Sequence, residues 1–192
     1  MKTIKLSENS TLKYCQNFYP VTKEEYKNLM ELCPERRHQI KLYGRYIEVP
    51  RYQQAYGEDY AFSGTVSAAV EMPPMIKQIR DKVQKLYPEY EFNNCLANWY
   101  MTGDHYISFH SDDESDIIKG TPIVGVSFCS GLPRKLRIKN KESKQTVAEV
   151  LTYHGSFYAM EGDFQKEFLH GIPKQKNSGP RLSLTFRCFD KN

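Results

Sequence analysis

No long apolar run occurs anywhere in this chain of 192 residues, and its opening, Met1-Lys2-Thr3-Ile4-Lys5-Leu6-Ser7-Glu8, has no apolar core. A membrane-spanning helix and a secretory leader are therefore not expected. The expectation is an intracellular protein with no membrane partner, nuclear if the source is eukaryotic and cytoplasmic otherwise. Cysteine is sparse and unpatterned: five residues, an odd number, with no Cys-x-x-Cys pair. That argues against a disulfide framework and a zinc module. Charge of one sign is also scarce. The 27 Lys and Arg residues against 23 Asp and Glu leave only +4, with a pI of about 8.7. Such a balance is compatible with a polyanionic partner and does not identify one. There is no internal repeat or low-complexity linker, so residues 1–192 are expected to form one domain, acting as a monomer. Aromatics are what the chain has in plenty. Of its 14 tyrosines and 10 phenylalanines, most must pack the core.

Histidine is scarce too, at five residues, which gives weight to the arrangement of two of them. His110-x-Asp112 is followed far downstream by His170, and Arg181 comes eleven residues after that. Two histidines and a carboxylate can occupy one face of an octahedral iron(II) ion and leave three positions open. An arginine beyond the second histidine could grip the far carboxylate of an acid that chelates the metal, since a planar guanidinium suits bidentate capture. The run Arg181-Leu182-Ser183-Leu184-Thr185-Phe186-Arg187-Cys188 alternates strictly. Leu182, Leu184, Phe186 and Cys188 share one face of a strand, and Arg181, Ser183, Thr185 and Arg187 share the other. That second face reads either as a solvated surface or as a row lining a site for a small dianion.

Elements can be placed coarsely. Thr22-Lys23-Glu24-Glu25 forms a capping box that opens a helix, with Tyr26, Leu29 and Met30 on one side and Pro34 as its stop. Pro73 and Pro74 open a second helix, in which Ile76, Ile79, Val83 and Leu86 recur at helical spacing up to Pro88. Beyond residue 94 the texture turns to short strands, at 95–101, 105–110, 122–128, 135–139, 146–151, 156–160 and 181–189. Two early helices backing a run of strands predict an α+β domain. Period-two alternation puts Tyr106, Ser108 and His110 on one face and Ile107 and Phe109 on the other. Asn98 and Tyr100 share a parity one strand earlier. His38 and His105 carry no partner pattern and read as surface residues, and His154, before a glycine, reads as structural.

Several ordered segments resemble the AlkB family of iron(II)/2-oxoglutarate dioxygenases. They are Leu96-Ala97-Asn98-Trp99-Tyr100, His110-Ser111-Asp112-Asp113-Glu114, Pro122-Ile123-Val124-Gly125-Val126-Ser127-Phe128 and His154-Gly155-Ser156. Met160, Gln165, His170 and Pro180 to Arg187 continue the match. Upstream, Val49-Pro50-Arg51, Tyr56-Gly57-Glu58 and Tyr60-Ala61-Phe62-Ser63-Gly64 resemble the nucleotide-recognition segment of the eukaryotic, duplex-acting DNA-repair members. The resemblance implies a double-stranded β-helix, or jelly roll, with iron between its sheets. It implies a catalytic core over about 94–190, a nucleotide-recognition lid over about 36–72 and supporting N-terminal helices. It further implies His110, Asp112 and His170 as ligands of Fe(2+), with 2-oxoglutarate and O2 as cosubstrates. Asn98, Tyr100, Arg181, Thr185 and Arg187 would hold the 2-oxoglutarate.

For activity, the resemblance implies oxidative removal of N-methyl groups from adenine and cytosine ring nitrogens in DNA, with release of succinate, carbon dioxide and formaldehyde. A base inside a duplex must be flipped out to reach a buried metal. Phe62 would cover that base opposite His110, with Tyr60 and Ala61 beside it. Asp113, with Glu114 close by, would meet its edge, which suits a base made cationic by methylation. Tyr43, at the tip of a hairpin with Gly44 and Arg45, reads either as a wedge filling the vacated step or as a packed aromatic. Arg51, Lys174 and Lys176 are candidate phosphate contacts. Two departures stand out: a longer turn over Ser127 to Arg134, and Ser183 where the family commonly has Asn. Three readings are carried forward: a DNA dealkylase, the same chemistry on RNA or a protein side chain, and a nucleic-acid-binding jelly roll without catalysis.

Overall fold

The last strand explains the architecture, because both of its faces are buried. In a computed structural model, which describes residues 1–42, 44–62 and 64–190 and only the backbone of Leu42 and Phe62, the described residues form sixteen strands and three helices. In order these are β1 (Lys2–Lys5), β2 (Ser10–Cys15), α1 (Lys23–Glu31), β3 (Gln39–Leu42), β4 (Arg45–Glu48), β5 (Tyr52–Gly57), β6 (Tyr60–Phe62), β7 (Thr65–Ser67), β8 (Ala69–Val70) and α2 (Pro74–Gln84). There follow β9 (Asn94–Tyr100), β10 (Ile107–His110), β11 (Ile123–Gly131), β12 (Arg134–Asn140), β13 (Thr146–Thr152), β14 (Ser156–Gly162), α3 (Phe164–Glu167), β15 (Phe168–Ile172) and β16 (Ser178–Arg187).

Eight strands make a major sheet in the order β1-β2-β14-β11-β16-β9-β5-β8, and four make a minor sheet, β10-β15-β12-β13. Their inner faces meet over Leu96, Tyr100, Leu136, Ile138, Tyr158 and Ile172. The outer face of the major sheet carries Ala97, Trp99, Val126, Leu182, Leu184 and Phe186, covered by Leu29 of α1 and by Ile76, Ile79 and Val83 of α2. Hydrophobic alternation on β16 thus serves the helices, while its polar residues point into the jelly roll. They are not solvated.

The capping box at Thr22 forms in full, with Glu25 N–H donating to Thr22 Oγ1 at 3.2 Å and Thr22 N–H to Glu25 Oε2 at 2.7 Å. Trp99 Nε1 donates to Leu29 O at 3.1 Å and fixes α1 to the sheet. The second helix ends sooner than its periodicity suggests. It stops at Gln84, and Leu86 falls in the turn beyond, 43% exposed, instead of extending the apolar stripe.

Eight strands precede residue 71, where the sequence signalled one helix and the hairpin around residues 42–45. They are short, and β3–β4 and β6–β7 are isolated two-stranded hairpins, so their alternation spans too few residues to register. In β10 strict alternation fails. Ile107 pairs with Ile172 and His110 with His170, a register shift of one residue. Ile172 and His170 share a face, so a β-bulge brings Ile107 and His110 to that same inner side. Gly171 makes the bulge possible, for a Cβ there would lie 3.0 Å from Ile107 O and 3.2 Å from Phe109 N. Among the described residues no helix is long and apolar enough to cross a membrane.

Candidate metal and cosubstrate site

His110 ends β10, Asp112 follows it in a loop, and His170 lies at the centre of the neighbouring strand β15. Their ligand atoms all lie within 4.8 Å of one another. Asp112 Oδ1 is 3.4 Å from His110 Nε2, and Asp112 Oδ2 is 3.8 Å from His170 Nε2. His110 Nδ1 lies 2.8 Å from Ser108 O, a carbonyl that can only accept, so Nδ1 is the donor and Nε2 is the nitrogen turned to Asp112. Asp112 Oδ1 is buried with no hydrogen-bonded partner. A buried anionic oxygen without a partner, facing two imidazoles, is the donor set of a transition-metal site and fits iron(II).

Supporting contacts hold the carboxylate. Arg187 Nη2 donates to Asp112 Oδ2 at 3.0 Å, and the Asp112 N–H donates to Gln165 Oε1 at 2.9 Å. Burial favours the neutral form of Asp112, but Arg187, followed by the two histidines, outweighs it and holds the carboxyl well below its usual range. Burial likewise pushes His170 down to about 3, aided by His110 and Arg187 against the pull of Asp112. His170 is thus neutral, as a metal ligand must be.

Above the triad opens a cavity of about 630 Å³, and Asn98, Tyr100, Tyr158, Ser183, Thr185 and Arg187 line its inner part. They come from β9, β14 and β16, and Asn98 and Ser183 face each other in register. One polar rung crosses the major sheet through Gln53, Asn98, Ser183, Ser127 and Ser156. Arg181, the cross-strand neighbour of Tyr100, is fully buried. Its Nε donates to Ser127 Oγ at 2.8 Å and Thr152 Oγ1 at 3.0 Å, and its Nη2 to Ser183 Oγ at 3.3 Å. Nη1 is left without a partner. The guanidinium carbon lies 5.1 Å from the Tyr100 ring centroid. Arg181 does not itself line the cavity, but Tyr100 and Ser183, which touch it, do. The shorter Ser183 therefore still contacts the arginine. Gly125 leaves the space that Tyr158 fills, since a Cβ there would come 2.1 Å from the Tyr158 ring.

The outer part of the cavity is lined by Ile40, Ile47 and Glu48 of the β3–β4 hairpin, by Tyr60, and by Asp113 and Glu114. Tyr60 is nearly fully buried, its hydroxyl donates to Glu114 Oε1, and the Arg187 guanidinium carbon lies 4.8 Å from its ring centroid. Glu114 Oε2 is buried and unpartnered, and burial, with Asp112 nearby, raises this carboxyl above its ordinary value. Asp113 stands on the rim, its side chain 72% exposed and 4.0 Å from Lys141 Nζ. Gly44, Arg45 and Ala61 are exposed on the two hairpins. Tyr43 lies outside the described residues, as does the side chain of Phe62.

Three expectations are corrected. Arg51 is not a surface phosphate contact, because it is 6% exposed and its Nε donates to Asn98 Oδ1 at 2.7 Å within the cavity wall. His105 is buried, with Nε2 2.9 Å from Arg37 Nη2, instead of lying on the surface. The Ser127–Arg134 segment is no long open turn: β11 continues through a bulge to Gly131, leaving only residues 132 and 133 before β12. His154 is structural, as expected, with Nδ1 2.8 Å from Cys129 O. Lys174 and Lys176 are exposed, and Lys174 lies 5.4 Å from the Tyr106 ring centroid. Arg134, named from the sequence only as the end of the Ser127–Arg134 turn, is fully buried; it shares its parity with Leu136 and Ile138, a signal that it faces inward.

The chain matches the 2OG-Fe(II) oxygenase superfamily over residues 7–187. It is 32% identical over 159 residues to the DNA oxidative demethylase ALKBH2 of Bos taurus, covering 77% of this chain and 56% of that protein. The ALKBH2 of Arabidopsis thaliana is 32% identical over 219 residues, covering 97% of this chain and 68% of its own length. The chain spans 56%, 65% and 60% of the bovine, mouse and human relatives. The solved structure of OsALKBH1 superposes with a TM-score of 0.67 at 14% identity, covering 97% of this chain and 100% of that one, and shares the jelly-roll fold. With a matching superfamily, relatives at this identity and a His-Asp-His cluster between two sheets, the chain belongs to the AlkB family of iron(II)/2-oxoglutarate oxygenases.

Proposed function

We propose that this protein is a DNA demethylase that removes N-methyl groups from nucleobases of the 1-methyladenine and 3-methylcytosine type. The observation that carries this reading is the convergence of His110, Asp112 and His170 beneath one cavity whose outer wall is a separate hairpin segment. The naming of its relatives as DNA oxidative demethylases supports DNA over RNA. Iron(II), 2-oxoglutarate and O2, when bound, supply the oxidation: the 2-oxo acid becomes succinate and carbon dioxide, and the methyl group is hydroxylated and leaves as formaldehyde.

The chain's own residues do the positioning. His110 Nε2, His170 Nε2 and an Asp112 oxygen would hold the metal. Arg187 keeps Asp112 ionised and oriented. Arg181, with an unpaired Nη1, would take the far carboxylate of 2-oxoglutarate, and Asn98, Tyr100 and Thr185 would complete that pocket. Glu114, acidic and unpartnered at Oε2 inside the cavity, suits the edge of a cationic methylated base more closely than the exposed Asp113 does. Tyr60 orients Glu114. Residues 36–72 would act as the nucleotide-recognition segment, with Phe62 over the flipped base and the Tyr43-Gly44-Arg45 tip at the vacated step. Residues 94–190 would form the catalytic core. The protein would act as a monomer.

The test is methyl loss from oligonucleotides carrying either lesion, as DNA and as RNA, with iron(II), 2-oxoglutarate and ascorbate. Turnover on DNA is expected. Turnover on RNA alone would move the substrate while keeping the chemistry, and turnover on neither would overturn the reading.

A further inference from the structure

Arg134 and Arg181 are both fully buried, and among the described residues neither has a carboxylate partner. Buried guanidinium groups are normally paired with an anion. Arg181 spends its bonds on hydroxyls, and Arg134 spends its own on backbone carbonyls: His105 O at 2.8 Å, Pro173 O at 2.6 Å and Thr102 O at 3.3 Å. Each still keeps one unpartnered donor, Nε on Arg134 and Nη1 on Arg181. The two cations meet at one aromatic ring. Their guanidinium carbons lie 5.6 Å and 5.1 Å from the Tyr100 centroid, one reaching it from the minor sheet and the other from the major sheet.

A hydroxyl ties them further. Thr152 Oγ1 donates to Arg134 O at 2.9 Å and accepts from Arg181 Nε at 3.0 Å. The carbonyls that Arg134 gathers belong to the turn after β9, which carries Asn98 and Tyr100, and to the segment after β15, which carries His170. Gln175 adds to the same clip, its N–H donating to Gly103 O at 2.9 Å and its Nε2 to Pro133 O at 3.0 Å.

We propose that Arg134 is a positioning residue of the cosubstrate pocket. It holds Tyr100 and the backbone that follows β9 and β15 so that a dicarboxylate seats on Arg181, and it adds a second uncompensated positive charge that the dicarboxylate answers. This rests on the reading that the pocket takes 2-oxoglutarate. Lysine in its place keeps the charge but lacks the planar fork that reaches three carbonyls and lies on a ring.

The experiment compares wild type, Arg134→Lys and Arg134→Leu, each loaded with Mn(II) in place of iron. Mn(II) affinity and 2-oxoglutarate affinity are both measured by calorimetry, and apparent KM and kcat on a methylated oligonucleotide are measured separately on the iron(II)-loaded proteins. Arg134→Lys is expected to weaken 2-oxoglutarate by about tenfold or more, while Mn(II) affinity stays within about twofold. In turnover the loss should fall on KM for 2-oxoglutarate, with kcat near wild type at saturation. Arg134→Leu should do the same more severely, and if it fails to fold the lysine variant decides alone. A purely structural role would lower thermal stability, metal binding and kcat together and leave the 2-oxoglutarate KM unmoved, which would overturn the proposal. If wild type itself binds no 2-oxoglutarate, the functional reading falls and this inference with it. If wild type binds and both variants bind equally well, only the inference falls.

Discussion

Arg187 Nη2 sits 3.0 Å from Asp112 Oδ2, and the other oxygen of that buried carboxylate, Oδ1, is left with no hydrogen-bonded partner. One oxygen is oriented by the protein and the other is available to a metal. Burial would lower the pKa of Arg187, but Asp112, Tyr60 and Glu114 raise it above that of an ordinary arginine. Each partner thus favours the charged form of the other.

Replacing Arg187 by Leu should therefore weaken metal binding, because Asp112 loses both its orientation and its compensating charge. Contacts of this kind are typically worth about 10–100-fold in metal affinity. A Mn(II) titration of the variant checks it, and an affinity equal to wild type would remove Arg187 from the metal site.

Arg181→Lys should raise the 2-oxoglutarate requirement although the charge is kept. Three bonds from Arg181 already define the planar group's orientation, and its remaining Nη1 has no hydrogen-bonded partner. A charge-assisted bond of this kind contributes roughly 1.5–3 kcal/mol, or about tenfold and upward in affinity. Steady-state kinetics with varied 2-oxoglutarate reads the effect, and an unchanged KM would contradict it.

The metal-free protein should lose stability as pH falls. His170 titrates near 3 when folded, against about 6.5 in an unfolded chain. Between those values the unfolded state binds the extra proton, so the stabilisation is complete above about pH 6.5 and shrinks as pH drops toward 3. Asp112, held below its ordinary range, acts in the same direction at lower pH. Denaturant unfolding at pH 7.5, 6 and 4.5 should show this decline, and His170→Leu should flatten it. Stability that rose toward pH 4.5 would show the sign to be wrong.

Tyr43→Ala and Phe62→Ala should separate two roles. A wedge at Tyr43 matters only where a duplex step is left unstacked, so its removal should cost about tenfold or more on duplex and little on a single strand. Phe62, if it stacks on the damaged base itself, should impair both. Equal losses on both substrates for Tyr43→Ala would make it a packing residue.

Much of this site is legible in the sequence because β16 is long. Strict alternation from Arg181 to Arg187 within this ten-residue strand separates Leu182, Leu184 and Phe186 from Arg181, Ser183, Thr185 and Arg187, and the structure keeps that separation. The alternation cannot say whether the polar face meets water or a second sheet, and only the pairing with β9 and β11 decides. Where strands are short the signal fails. Residues 107–110 read as a regular strand, whereas a bulge resting on Gly171 turns His110 to the face of Ile107. Long-range contacts such as Gln165 to the Asp112 N–H, or Arg51 to Asn98, leave no local trace. The inward parity of Arg134 was readable, but a cation in a core position reads as a surface residue until its three carbonyl partners are seen.

The central claim is that His110, Asp112 and His170 hold an iron ion that drives demethylation of DNA. Its most direct test is a paired assay of succinate and formaldehyde released from a 1-methyladenine duplex by wild type and by His110→Ala, Asp112→Ala and His170→Ala, with bound iron quantified in each. Wild type should release the two products in equal amounts with one iron per chain, and each variant should lose turnover and iron together while keeping its fold. Near-wild-type succinate with stoichiometric iron in any one of the three would contradict the assignment.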